Sequence, residues 1–205
     1  VVGSYGADTM RLYEMFMGPL DRDKPWTEDG VQGVHRFLKR AWFLFAGADG
    51  GVSEKITDAP NEALTKTLHK TIKAVTNDIE ALLFNTAIAR LMEFVNEANK
   101  AAHVPRDVAE TFMLLLAPFA PHMAEELYAR LGHTGTLAYA PWPEYDEALL
   151  VEDHIEMPVQ INGKLRAKVQ VAAQASKDDV LAAAKADERI AAATEGKQVV
   201  KEIYV

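Results

Sequence analysis

Residues 78–100 read DIEALLFNTAIARLMEFVNEANK, and this stretch decides how the first part of the chain folds. Its apolar side chains recur at the spacing of one face of an α-helix. The residues on that face are Phe84, Ile88, Leu91, Val95 and Ala98. The spacing predicts a helix over Asp78–Lys100 with one buried side, and its length makes it the central helix of a bundle.

Capping and turn residues predict five more helices around this one. The first runs over Asp8–Met17, where Gly18-Pro19 stops it, and Gly132 ends the last. Side-chain caps or first-turn prolines begin the others. These starting residues are Thr27, Asn61, Pro105 and Pro121. The pattern predicts a helical bundle over residues 1–152.

From Ile155 the apolar period changes from that of a helix to the alternation of a strand. Asn162-Gly163 is typical of a tight hairpin turn, after which Leu165, Ala167, Val169 and Val171 resume the alternation. Short helices are expected from Ser176 and near Asp187, and a last strand over Val199–Val205. The fold class is therefore mainly α, a helical bundle followed by a small, truncated α+β domain over residues 153–205.

Composition excludes several classes of protein. The 205 residues are 49% hydrophobic and 25% charged, as in a globular protein, and no cysteine is present for a disulfide, thiolate zinc site or thiol nucleophile. No apolar run is long enough to span a membrane. Because the chain begins with Val1 and its last strand stops short, we expect a piece of a longer cytoplasmic protein.

Three groups of cations stand out against the net charge of −8. One lies opposite the apolar stripe of the second helix, one opposite that of the third, and one alternates along the hairpin. Each is either an ordinary solvated face or a surface that contacts nucleic-acid phosphates. The candidate RNA-binding residues are Arg36, Lys39 and Arg40, then Lys66, Lys70 and Lys73, then Lys164, Arg166 and Lys168.

The other candidate sites favour structural roles. His122 and Glu126 lie one helical turn apart, but a catalytic zinc needs three protein ligands and no second histidine has that spacing. The loop Gly47–Gly51 lacks the lysine of a phosphate-binding loop. Packing also suits Trp26, Trp42 and Trp142 better than base stacking. We assign no catalytic, metal or cofactor-binding residue.

Longer strings resemble a known family. Tyr5-Gly6-Ala7-Asp8-Thr9-Met10-Arg11-Leu12-Tyr13 is similar to the segment after the KMSKS loop of class I aminoacyl-tRNA synthetases. Four further strings resemble helices of the bacterial leucyl-tRNA synthetase anticodon-binding domain: His69–Ile72, Val75–Glu80, Phe84–Ala89 and Leu115–Leu127. The hairpin string Val159–Arg166 resembles the start of that family's small C-terminal domain and separates it from the valyl and isoleucyl relatives. The resemblance covers essentially the whole chain.

This resemblance implies a parent enzyme, leucine–tRNA ligase, that activates leucine with ATP and magnesium and transfers it to tRNA(Leu) in protein biosynthesis. The catalytic and editing domains would precede Val1, so the fragment itself is expected to be inactive, to hold no cofactor and to be a monomer. Its partners would be tRNA(Leu) and those missing domains. The same module of a valyl- or isoleucyl-tRNA synthetase and a helical protein-interaction scaffold remain alternatives.

Overall fold

The computed structural model describes residues 1–151, 154–197 and 199–204, and it omits the side chain of His154. The contacts divide the chain into two compact units, Val1–Leu150 and Val151–Val205. The predicted boundary between residues 152 and 153 lies outside the described residues. The helices of the first unit are α1 (Val2–Tyr5), α2 (Ala7–Phe16), α3 (Glu28–Phe45), α4 (Glu62–Glu80), α5 (Phe84–Lys100), α6 (Arg106–Leu116) and α7 (Pro121–Arg130).

The core of the first unit is built on α5, the helix that the opening stretch predicts. Phe94 of α5 stacks on Phe112 of α6 with ring centroids 4.7 Å apart, and Phe112 stacks in turn on Phe45 of α3 at 5.4 Å. All three rings are buried. Burying an aromatic ring stabilises the fold by about 1.5–3 kcal/mol, so this stack fixes α3, α5 and α6 against one another.

The predicted start of the central helix is wrong. The helix begins at Phe84 rather than Asp78, and residues 78–80 belong instead to the end of α4. Leu82 adopts a left-handed backbone conformation, with φ at 57°, and this residue breaks the helix between α4 and α5. The sequence offers no glycine or proline at the turn, so the apolar pattern runs through it without interruption.

The predicted starts at Thr27, Asn61 and Pro121 are confirmed, whereas Pro105 lies just before α6 rather than in its first turn. The Thr27 side chain accepts a hydrogen bond from the Gly30 amide at 3.4 Å, and Asn61 accepts one from the Leu64 amide at 3.1 Å. Pro121 is the first residue of α7. Gly132, just past its end, has φ at 100°, which suits glycine. Local sequence thus sets these three helix starts and this one helix end.

A short parallel pair of strands, β1 (Ile56–Thr57) and β2 (Val104–Pro105), was not predicted. The Asn61 amide donates to the carbonyl of His103 at 3.2 Å and supports the same junction. The pair joins the loop after α3 to the loop after α5. Strands this short carry no periodic pattern, so sequence alone cannot reveal them.

In the second unit, β3 (His154–Ile161) and β4 (Lys164–Ala172) form the predicted antiparallel hairpin. Asn162 and Gly163 both have positive φ, at 51° and 75°. The helices α8 (Lys177–Ala186) and α9 (Glu188–Thr194) follow, where predicted. Ser176 and Asp179 form a capping box, and these hydrogen bonds lower the pKa of Asp179.

Two expectations for this unit are wrong. A bulge pairs Val159 with Ala167 but Gln160 with Leu165, so Arg166 is an extra residue in β4. Leu165, predicted on the apolar face, is consequently 54% exposed. Residues 199–204 form no strand, although Val205 lies outside the described residues. A segment with a strand-like sequence forms a strand only where a neighbouring strand is available to pair with it.

Within the described ranges, no helix is both long and apolar enough to cross a membrane.

Candidate nucleic-acid interface

The outer face of α3 carries the first predicted group of cations in open positions. Arg36, Lys39 and Arg40 are exposed, whereas Val34 and Leu38 on the other side of the helix are buried. At about 100° per residue the three cations lie within an arc of roughly 100°. No acidic residue occurs between positions 31 and 45. We call these three cations the α3 stripe.

The second group of cations, on α4, is partly covered by a later segment of the chain. Lys73 lies 5.3 Å from the centre of the Tyr145 ring. The Asp146 amide donates to Nδ1 of His69 at 2.9 Å, and Trp142 donates from its indole to Thr76 at 2.8 Å.

Lys66 and Lys73 are half-buried and Lys70 is exposed, and Lys66 and Lys70 both have interaction partners. The α4 face is therefore only partly open, because residues 142–146 contact Lys73, His69 and Thr76. The role of Lys66, Lys70 and Lys73 in RNA binding stays a prediction.

The third group, in the hairpin, is exposed but interrupted. Lys164, Arg166 and Lys168 are all exposed. Lys168 donates to Glu156 across the sheet at 2.8 Å, and this hydrogen bond and the negative charge of Glu156 raise the pKa of Lys168. Glu156 therefore neutralises one of the three charges, and the bulge at Arg166 breaks their regular alternation.

His122 has a structural partner rather than a metal. The buried carboxylate of Asp8, in α2, accepts from Nδ1 of His122 at 2.8 Å and from the Met123 amide at 2.8 Å. Asp8 thus caps the beginning of α7 from another helix and also meets its positive dipole end. Glu126 binds Arg130 at 2.8 Å. The described residues contain no cluster of metal-binding side chains.

Each of the three tryptophans contacts a neighbouring side chain, although Trp26 and Trp142 remain exposed, at 47% and 38%. Trp42 lies under the guanidinium of Arg130, 4.6 Å from the ring centre. Trp26 meets Tyr13 edge to face at 4.4 Å, and Trp142 is held by its hydrogen bond to Thr76.

His35 reports the electrostatic environment of the α3 stripe. Its Nδ1 lies 3.1 Å from the hydroxyl of Thr9, and its ring meets Tyr5 edge to face. Partial burial, and secondly the positive charge of Lys39, lower the pKa of His35. Both effects disfavour the protonated form of His35, and the cations of this helix are Arg36, Lys39 and Arg40.

Phe43 is the residue of this surface that the sequence reasoning missed. It lies two helical turns after Arg36 on the same side of α3 and is 74% exposed. The other large apolar residues of α3 face the core. An aromatic residue on the polar face of an amphipathic helix could have indicated this position. The sequence reasoning considered only the charged residues on that face.

Comparison with known proteins agrees with this architecture. Residues 61–181 match the family described as the anticodon-binding domain of tRNA ligase. The chain is also similar to a solved structure, the ternary complex of the Agrobacterium radiobacter K84 agnB2 LeuRS with tRNA and LeuAMS. The two are 29% identical with a TM-score of 0.71, and the match covers 100% of this chain and 28% of that chain. The present chain thus spans less than a third of that relative.

Proposed function

The chain belongs to the family of anticodon-binding domains of tRNA ligases, and on this premise we propose that it is the tRNA-binding portion of a leucyl-tRNA synthetase. The α3 stripe would contact the phosphate backbone of tRNA(Leu). Contacts of this kind position the nucleic acid without reading its sequence. The hairpin cations would add contacts from the second unit.

The observation that carries the proposal is the open α3 stripe. A chain with a net charge of −8 repels nucleic acid overall, so a favourable contact needs a local concentration of cations. Arg36, Lys39 and Arg40 supply one without a neighbouring acid on the helix. The similarity over the whole chain to a LeuRS in complex with tRNA supports the same conclusion.

The activity of the parent enzyme is also part of this proposal. The parent would activate leucine with ATP and magnesium and transfer it to tRNA(Leu) in the cytoplasm. We assign no residue of this chain to ATP, magnesium or leucine, and we expect the 205-residue chain to be a catalytically inactive monomer. Aminoacylation would need the catalytic domain of the same parent.

Titration of the chain with tRNA(Leu) at several salt concentrations tests the proposal. We expect the logarithm of the affinity to fall linearly with the logarithm of salt concentration. Changing Arg36, Lys39 and Arg40 together to Glu should weaken binding and flatten that slope by about 2 to 3 units, roughly one for each lost phosphate contact. The same change at Lys66, Lys70 and Lys73 should flatten it less.

A matched control uses three cations that already have an acidic partner. Arg90 pairs with Glu93, Lys100 with Glu97 and Lys185 with Glu202. Changing these three cations to Glu alters the net charge by the same amount and should leave the salt slope close to that of the wild type.

The outcomes separate the alternatives. An unchanged binding curve for the α3 variant would contradict the α3 assignment. Preference for tRNA(Val) or tRNA(Ile) would assign the module to a relative of the leucyl enzyme. Failure to bind any tRNA, together with salt-independent binding to a protein, would identify an interaction scaffold instead.

A further inference from the structure

We propose that the Phe43 ring stacks on an unpaired base of the bound tRNA, while the α3 stripe binds the phosphates beside that base. This inference rests on the proposed function and specifies the kind of nucleotide that α3 receives. Phosphate contacts alone cannot distinguish paired from unpaired RNA. An exposed aromatic ring beside the cations favours unpaired RNA, because only an unpaired base offers its face to the ring.

Phe43 and the stripe form one continuous surface. Phe43 lies one turn after Lys39 and two turns after Arg36, and at about 100° per residue it is roughly 20° from Arg36 around the helix axis. The helix rise places Arg36 and Phe43 roughly 10.5 Å apart along α3. All of these side chains are exposed. A strand lying along α3 would therefore meet cations first and then an aromatic ring.

Phe43 differs in exposure from the other phenylalanines of the chain. The chain has eight phenylalanines, and Phe43 alone is exposed, at 74%. Its neighbours Phe37 and Phe45 are buried on the other side of the same helix. Nothing in the packing of the bundle requires an aromatic ring at position 43, so its position suits a ligand from outside better than the core.

The chemistry of the surface favours RNA with unpaired bases. In a duplex the faces of the bases are stacked on each other, and a flat aromatic ring has no access to them. An unpaired base in a loop or bulge offers its face to an aromatic side chain while neighbouring phosphates bind arginine and lysine. A protein or lipid surface would call for several apolar side chains, but α3 exposes one large apolar residue among three cations.

Two substitutions separate stacking from simple apolar contact. Phe43→Leu keeps apolar bulk but removes the aromatic face, and Phe43→Tyr keeps that face. We expect Phe43→Leu to weaken binding of tRNA(Leu) by roughly 5- to 150-fold, as is typical for loss of one stacked base. Phe43→Tyr should retain nearly all of the affinity. Because stacking releases no counterions, the salt slope should stay unchanged in both variants.

A second probe tests the preference for unpaired bases directly. The wild-type chain and both variants are titrated with a single-stranded 12-nucleotide RNA and with the duplex of the same strand, a length of about one helical turn. Phe43→Leu should lose affinity for the single strand while its affinity for the duplex stays the same. Thermal unfolding verifies that the variants are folded, and an exposed position should tolerate both changes.

Each contrary result overturns the inference. Unchanged binding of tRNA(Leu) by Phe43→Leu would overturn stacking while the proposed function stands. Equal losses for single strand and duplex would show a general contact rather than stacking on a base. Loss of a protein interaction with tRNA affinity retained would make Phe43 a protein contact. If the wild-type chain binds no tRNA at all, the proposed function fails as well.

Discussion

The outer faces of α3 and α4 both carry three cations, but a later part of the chain lies across the second. On α3, Arg36, Lys39 and Arg40 are exposed, whereas on α4 the ring of Tyr145 lies over Lys73. The two helices have the same amphipathic pattern in sequence. Helical spacing therefore defines a polar face, but the path of the remaining chain determines whether a partner can reach that face.

Removing Asp8 gives the largest effect that we expect on the framework around α3. The helices α2 and α7 both pack against α3, and Asp8 joins them. Asp8→Ala leaves amide donors at the start of α7 without their acceptor and should lower the free energy of unfolding by about 1–3 kcal/mol in urea denaturation. Asp8→Asn, which keeps one acceptor oxygen, should cost less. Equal stability of Asp8→Ala and wild type would contradict this role.

Uncovering α4 should make its face resemble that of α3. Tyr145→Ala removes the ring above Lys73 and should cost about 0.5–1 kcal/mol of stability. The acetylation rate of Lys73, followed by mass spectrometry, should rise towards that of Lys39. Tyr139→Ala is the matched control, because that side chain is 92% exposed. If Lys73 and Lys39 are acetylated at the same rate in the wild type, the α4 face is as accessible as the α3 face and the distinction between them is wrong.

The smallest effect concerns His35, whose pKa is lowered by partial burial and by Lys39. A histidine with a lowered pKa binds fewer protons in the folded than in the unfolded state. His35 therefore contributes full stability above its unfolded pKa, and that contribution is lost as the pH falls towards the folded pKa. Lys39→Gln should raise the pKa measured by NMR, although burial keeps it below the usual value. An unchanged pKa would mean that Lys39 points away from His35.

Local signals in the sequence predicted most of the secondary structure. The caps at Thr27 and Asn61 and the hairpin turn at Asn162-Gly163 appear as predicted, because each depends on residues close in sequence. The break at Leu82 and the bulge at Arg166 were missed. Neither has a glycine or proline to mark it, and each depends on how neighbouring elements pack.

The candidate site was predicted in part. The charge pattern predicted the α3 stripe. The opposite face of that helix is strongly apolar and must be buried, so the cations must face outwards. The charge pattern did not predict a role for Phe43, because an uncharged aromatic residue is not part of that pattern. It also treated α3 and α4 as equivalent, since the cover over α4 comes from residues 142–146, far away in sequence.

The amino-acid sequence is enough to predict the helix faces, the side-chain caps, the hairpin turn and the change from bundle to α+β unit. These depend on periodicity and on hydrogen bonds between residues a few positions apart. Long-range packing determines that α3 stays open while α4 is partly covered, that Asp8 caps α7, and that Phe43 remains in solvent. The physical reason is that accessibility and long-range capping depend on which distant segments pack together, and no local pattern contains that information.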